Sequence, residues 1–288
     1  MRLLTTVILL VALIAPMKMG AQGVAQGNIS KESVEKYNKI AQVLKQNQQK
    51  SVPELMIITA KEMLGTEYVA GTLEQIPEKL SVSLVETDCI LFVESCLAIA
   101  LNAKKGVFHP DSLCATVQSF RYRNGKVDGY ASRIHYTSEW IRQGEGRGIF
   151  REITDVLSGD NLSGQRFSYM SEHSDAYRQL KDNPAEVARI ARMEADLNKY
   201  TDYYVIPKED VRKMEHLLKD GDILGFNSTV KGLDIAHVAL VYHKENGQVG
   251  FIHASQADGK VVIDVKDIHD YVNSRKNNNG IRIIRVNR

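Results

Sequence analysis

Three side chains in this sequence could together carry out acyl transfer at an amide: Cys89, His237 and His253. Cys89 follows Thr87-Asp88, an N-cap pair, so its thiol is expected at the positive end of a helix dipole, beside unpaired backbone N–H groups. Such surroundings favour the thiolate, and the same amides can hold the oxyanion formed when a carbonyl is attacked. An isolated cysteine is more often a buried structural residue, so the chemistry needs a base. His237, in Ala236-His237-Val238-Ala239-Leu240-Val241, and His253, in Phe251-Ile252-His253-Ala254-Ser255, provide two candidates. Their apolar stretches are joined by Glu245-Asn246-Gly247, a hairpin signal. With the turn centred near residue 246, Leu240 pairs with Ile252, or Ala239 with His253, and even offsets put both imidazoles on one face. Two imidazoles among Val, Ile and Leu are costly without partners. The chemistry that follows is transfer of the thiol proton to His237, attack on an amide, and protonation of the leaving amine by His237. His253 would orient His237 through a ring-nitrogen hydrogen bond.

The elements that must position these groups are helices first and strands last. Lys31 to about Lys50 carries an apolar stripe at helical spacing through Val34, Tyr37, Ile40, Val43 and Leu44. Ser51-Val52-Pro53-Glu54 reads as a helix start, with Ser as N-cap and Glu three residues later, and the helix runs to about Leu64. An extended stretch is expected around Leu80 to Val85. From Cys89, apolar residues recur at Phe92, Val93, Cys96, Leu97 and Ala100, giving a helix that is apolar on most sides. Residues from about 110 to 200 read as mainly helical. Strands are expected at 203–206, 222–226, 236–242, 249–253, 261–265 and 281–286. This is an α+β layout.

The 288 residues allow one large domain or two small ones, and 43% hydrophobic with 25% charged residues is ordinary globular composition. Lys plus Arg (37) against Asp plus Glu (35) leaves a net +2, too small and too interspersed for a nucleic-acid-binding face. Met1-Arg2 and the apolar run Leu3 to Ala15, followed by Pro16 and Gly20, read as a signal peptide over residues 1–21; the run is shorter than the about 20 residues of a membrane span. The mature chain is expected to be exported, periplasmic or secreted, without stable membrane insertion, and no nearby cysteine offers a lipid anchor. Cys89 and Cys96 on one helix are about 10.5 Å apart along its axis, too far for a disulfide. An odd number of thiols leaves at least one free. Cys96 and Cys114 read as small buried hydrophobes.

His109, His173, His216, His243 and His269 show no metal-ligand spacing, and no Cys-x-x-Cys or His-x-x-x-His pair occurs, so neither metal nor cofactor is expected. Gly144-Glu145-Gly146-Arg147-Gly148 follows no strand and reads as a flexible turn bordering a groove, and Arg275 to Asn279 as a solvated loop. Arg133, His135, Tyr136 and the single Trp, Trp140, form a cluster suited to a sugar bearing a carboxylated peptide. Its structural alternative is a buried helix face of Tyr136 and Trp140, with Arg133 paired to an acid.

The order of cysteine before histidine, at a separation within the roughly 130–150 residues of papain-like enzymes, adds to this picture. Gly65-Thr66-Glu67-Tyr68-Val69-Ala70-Gly71, Asp88-Cys89-Ile90-Leu91-Phe92-Val93, Gly221-Asp222-Ile223-Leu224-Gly225-Phe226, Ala236-His237-Val238 and Phe251-Ile252-His253 resemble, in order, the motifs of the NlpC-type cysteine amidases. The resemblance covers about residues 60 to 265. It implies a papain-like core with the cysteine helix packed on an antiparallel sheet bearing the histidines. It further implies Cys89 as nucleophile, His237 as base, His253 as third polar residue and Tyr68 beside the oxyanion site. Two departures stand out: Ile90-Leu91 replaces the usual Ser-Gly, and a long insertion, about 105–205, separates the cysteine helix from the Gly-Asp-Ile strand.

Within that insertion, Ser132-Arg133-Ile134-His135-Tyr136 through Trp140 resembles the AmiA-like branch, N-acetylmuramoyl-L-alanine amidases acting on soluble anhydro-muropeptides. The implied organisation is a signal peptide (1–21), a polar helical segment (22–50) and a cysteine amidase domain (51–288). The implied partners are peptidoglycan fragments. Asp88, Arg133, His135, Tyr136 and Trp140 become candidate substrate-binding residues. The alternatives are cleavage after γ-D-Glu by the same core, acyl transfer through the same thioester, and a catalytically silent cell-wall binding module.

Overall fold

Ser30 and Ser51 start the first two helices. In the computed structural model, which describes residues 28–287 apart from 158 and 163, the Ser30 hydroxyl accepts from Ser33 N, and Ser51 N donates to Glu54 Oε2 at 2.8 Å. The expected leader, residues 1–21, lies outside the described residues. Helices α1 (Lys31–Lys45) and α2 (Val52–Glu62) bury Tyr37, Ile40, Leu44, Leu55 and Met56 against α3 (Cys89–Lys104). Helix α3 is enclosed on nearly every side, as its apolar sequence requires. Between α2 and α3 come two short strands, β1 (Glu67–Tyr68) and β2 (Glu86–Thr87), which pair in parallel.

The middle of the chain is less helical than its sequence pattern suggests. It holds α4 (Pro110–Arg121), α5 (Thr137–Gly146), α6 (Tyr169–Glu172) and α7 (Pro184–Leu197), with strands β3 (Phe150–Glu152) and β4 (Asp160–Asn161) between α5 and α6. Residues 154–168 are rich in Ser, Gly, Asp and Asn, whose side chains favour turns over helix. This region builds its own apolar cluster from Tyr130, Tyr136, Phe167, Met170, Ile190 and Tyr203.

The strand-rich end matches the expected pattern closely: β5 (Tyr204–Pro207), β6 (Ile223–Ser228), β7 (Ile235–His243), β8 (Val249–Ser255), β9 (Lys260–Ile263) and β10 (Asn278–Val286), with helices α8 (Lys208–Met214) and α9 (Ile268–Asn273) interposed. All the strands join one sheet, ordered β2-β1-β9-β8-β7-β6-β10-β5-β4, with β3 also on β10. The β7–β8 hairpin turns at Gly247, whose φ of 82° suits glycine, and pairs Leu240 with Ile252, the expected register.

Alternation then divides the sheet. Val238, Leu240, Ile252, Ala254 and Val261 face α1–α3, while Ala239, Val241, Phe226, Phe251, Ile281 and Ile283 face α9 and the α8 side. Each of the larger side chains contributes about 1.5–3 kcal/mol on burial. Among the described residues, no helix is long and apolar enough to cross a membrane.

Candidate active site

Tyr68 and Cys89 are brought together by the shortest sheet pairing. The parallel register sets Tyr68 opposite Thr87, next to the Asp88 N-cap of α3, whose carboxylate accepts from Leu91 N at 2.9 Å. Cys89 is the first residue of the helix and, with Tyr68, lines an open cleft of about 770 Å³. On the far wall, β7 begins irregularly: Phe226 pairs with His237 but Asn227 with Ile235, leaving Ala236 as the extra residue of a β-bulge. A bulge bends its strand and re-aims the neighbouring side chain. Ala236 and His237 both line the cleft with Cys89.

His237 Nε2 lies 2.7 Å from His253 Nδ1, with the rings edge to face. Tyr271 of α9 packs against both imidazoles, and Phe226 stacks on His237. Behind His253, on its other nitrogen, stands a group not anticipated from sequence: Asp264 Oδ2 is 3.2 Å from His253 Nε2. The β8–β9 register explains it. His253 is opposite Val262, so Asp264, two residues on, projects from the same face. The sequence signal was an acid at the end of the expected 261–265 strand, unreadable without the register.

The electrostatics favour neutral groups at rest. Burial, reinforced by the Asp88 carboxylate, pushes the Cys89 thiol up to about 12, outweighing the N–H groups of Val238, Ile90 and Cys89 itself that pull it down. This opposes the thiolate expected from the helix dipole, because desolvating a charge costs more than a dipole end returns. Burial, with His253 and the Arg275 guanidinium nearby, lowers His237 to about 3. Burial likewise lowers His253, opposed by Asp264. Burial and the adjacent Cys89 and Asp88 raise Tyr68, which keeps its phenol proton for donation.

The Asp264 carboxylate, near His253 Nε2 without an aligned hydrogen bond, favours through its charge the tautomer with hydrogen on that nitrogen. His253 Nδ1 then accepts from His237 Nε2–H, leaving His237 Nδ1 with a free lone pair. The arrangement can take a proton from a neutral thiol while a carbonyl is attacked.

The expected substrate-binding residues divide. His135, Tyr136 and Trp140 line a smaller pocket of about 200 Å³ on the other side of Cys89 and His237, walled also by Ile90, Ile134 and Ile235. The departure from Ser-Gly at Ile90-Leu91 therefore places an apolar side chain in the pocket wall. Tyr136 and Trp140 are nonetheless mostly buried, Tyr136 OH donating to Glu194 at 2.7 Å and Trp140 stacking on Phe150. Arg133 lines neither cavity; it is buried between Glu74 and Glu78. The Asp88 carboxylate is engaged as a helix cap.

Two loop readings are also corrected. Gly144 and Gly146 lie in the last turn of α5, where Gly144 packs flush on Phe150, and residues 275–278 are not merely solvated but line the larger cleft. All three cysteines are free. Asp267, His269 and Asp270 offer ligand atoms within 4.8 Å of one another, but Arg212 already pairs with both carboxylates.

A family model described as AmiA-like, N-acetylmuramoyl-L-alanine amidase-like, matches residues 58–281. The chain belongs to this family. Among solved structures, this AmiA-like chain is similar to an N-acetylmuramoyl-L-alanine amidase from Bacteroides uniformis, with 32% identity over 82% of this chain and 99% of that one, at a TM-score of 0.76. It is similar also to a Bacteroides fragilis protein provisionally named a xylanase, at 34% identity over 79% and 99% of the two chains and a TM-score of 0.72. A Legionella pneumophila protein shares the fold at 20% identity, 89% and 97% coverage and a TM-score of 0.65. No curated protein sequence matches the chain. The mixed fold, one sheet covered by helices, is thus that of the amidase structures.

Proposed function

We propose that this chain is an exported cysteine amidase on a papain-like core, hydrolysing the amide between the lactyl carbonyl of N-acetylmuramic acid and L-Ala in soluble muropeptides. The observation that carries this reading is the 2.7 Å contact between His237 Nε2 and His253 Nδ1, beside a cleft that His237 shares with the helix-start Cys89.

His237 Nδ1 takes the Cys89 proton as sulfur attacks the carbonyl carbon. The oxyanion is met by the backbone N–H of Cys89 and the phenol of Tyr68. As the carbon–nitrogen bond breaks, His237 returns the proton to the leaving amine, and the acyl group remains as a thioester. Water then attacks with His237 again as base, the carbon–sulfur bond breaks, and the thiol is restored. No step calls for a metal or organic cofactor.

A glycosidase reading, prompted by the name of the Bacteroides fragilis protein, fits the site less well. Glycoside hydrolysis normally needs two carboxyl groups flanking the scissile bond. The cleft at Cys89 is lined by none, and the smaller pocket has only Glu94, which is paired with Arg121 at 2.8 Å.

Mass spectrometry of a muropeptide mixture after incubation with wild type, Cys89→Ala and His237→Ala tests the proposal. The expected products from wild type alone are free sugar and a peptide beginning with L-Ala. Cleavage after γ-D-Glu would move the protein to endopeptidase activity on the same core. Turnover by either variant would overturn the mechanism, and no cleavage by wild type would favour a binding module.

A further inference from the structure

The larger cleft has a charge pattern that the catalytic chain does not use. Its lining includes Arg275 and Lys276, on the turn between α9 and β10, and no carboxylate. In a chain of net charge +2 such segregation is local. Among the described residues, neither cation enters an ion pair, whereas Arg121, Arg133, Arg212, Arg282 and Arg285 all do. Arg275 is also held in place: its guanidinium carbon lies 4.7 Å from the centre of the Tyr271 ring, the same ring that packs on His237 and His253. The other side of Cys89 is different in kind, a small pocket walled by Ile90, Ile134, Ile235 and Trp140.

Resting on the amidase reading, we infer that the larger cleft receives the acidic peptide half of the substrate, and that Arg275 and Lys276 select it by pairing with its carboxylates. A peptide in which L-Ala is followed by γ-linked D-Glu keeps a free α-carboxylate close to the scissile amide. Arg275, fixed on Tyr271 beside the base, is placed to meet it, with Lys276 next along the rim. The pairing has a second effect. An unneutralised guanidinium disfavours protonation of His237 and His253. A bound carboxylate cancels that field, so the base strengthens when the correct peptide is present.

The test compares N-acetylmuramoyl-L-Ala-D-Glu with its fully amidated counterpart, using wild type, Arg275→Gln, Lys276→Gln and the charge-keeping Arg275→Lys. Wild type should favour the acid form by about tenfold in KM, the scale of a charge-assisted contact. The glutamine variants should lose this preference through the acid substrate alone, with unchanged Tm, and Arg275→Lys should retain most of it. With the amidated substrate, Arg275→Gln should move the acidic limb of the pH profile upward, which loss of packing alone would not do.

A preference that survives both glutamine variants, or an equal loss on both substrates, overturns the inference. Should wild type turn over neither substrate, the amidase reading fails separately. Calorimetric binding of L-Ala-D-Glu and its diamide to the Cys89→Ala protein then still decides: equal affinities overturn the carboxylate site, and a preference abolished by adding Arg275→Gln supports it.

Discussion

Asp264 Oδ2 lies 3.2 Å from His253 Nε2, on the side of the imidazole opposite His237. The contact is close but not aligned as a hydrogen bond, and the carboxylate acts through its charge, favouring hydrogen on His253 Nε2 and so a free Nδ1 on His237. Asp264→Asn offers an amide that can donate to His253 Nε2 and so select the opposite tautomers. We expect kcat to fall at least about tenfold, with KM and Tm little changed, as with other groups that fix a catalytic imidazole. Steady-state kinetics on a muramoyl-L-Ala substrate measures this; unchanged kcat would remove Asp264 from the chain of groups.

The pH response follows from the buried imidazoles. His237 is lowered to about 3, and burial lowers His253 and His135 as well. The unfolded chain takes up their protons near pH 6.5 and the folded one resists, so stability is full above about 6.5 and falls as pH drops toward 3. Cys89 has the opposite sign at the other end. Its thiol, raised to about 12, ionises sooner in the unfolded chain, so stability falls above about pH 9. For catalysis, kcat/KM should be flat from about pH 5 to about pH 9, because the neutral base and neutral thiol persist across that span. Iodoacetamide should label Cys89 slowly at neutral pH and faster as pH rises. An acidic limb near 6.5 would mean that the base keeps an ordinary imidazole pKa, and rapid labelling at pH 7 would mean a thiolate–imidazolium pair at rest.

Glu94 and Arg121, both 3% exposed and 2.8 Å apart, form an ion pair beneath the smaller pocket. Burial raises the Glu94 carboxyl and Arg121 opposes it. Glu94→Ala leaves a buried guanidinium without its carboxylate, and about 3–5 kcal/mol of stability should be lost. Denaturant unfolding measures it; a loss below about 1 kcal/mol would mean that solvent reaches the pair.

Gly144 gives a mutation of shape alone. A β-carbon there would clash with the Phe150 ring, and Phe150 stacks on Trp140 in the pocket wall. Gly144→Ala should cost about 1–3 kcal/mol through overpacking and weaken substrate binding, with the pH profile retained. Unfolding and KM, measured together, separate the two effects.

Much of the site was legible because it rests on local signals. The Asp88 cap, the Gly247 turn and the alternation around His237 and His253 are each set within a few residues. Asp264 is less legible, because its role depends on the register between β8 and β9: the Asp258-Gly259 turn, with Gly259 at a φ of 67°, marks the hairpin, but only the pairing of Ser255 with Lys260 puts Asp264 on the face of His253. The charge at Arg275 is hidden for a related reason: a short polar run reads as solvated until α9 turns it over the cleft. The resting state of the thiol is not legible either, because a helix dipole is visible in sequence, whereas the extent of burial around α3 is not. The middle region reads as mainly helical in sequence; among the described residues, 154–157 and 164 instead form turns, as their neighbouring Ser, Gly, Asp and Asn residues favour.

The apolar cluster of Tyr130, Tyr136, Phe167, Met170, Ile190 and Tyr203 is separate from the two sheet-facing clusters. It is tied to the sheet by polar contacts at Ser138, which donates from its backbone N–H to Asp234 and accepts from Arg282 at its hydroxyl. Such a unit can open below the cost of global unfolding. Amide hydrogens of α7 should then exchange before those of α3.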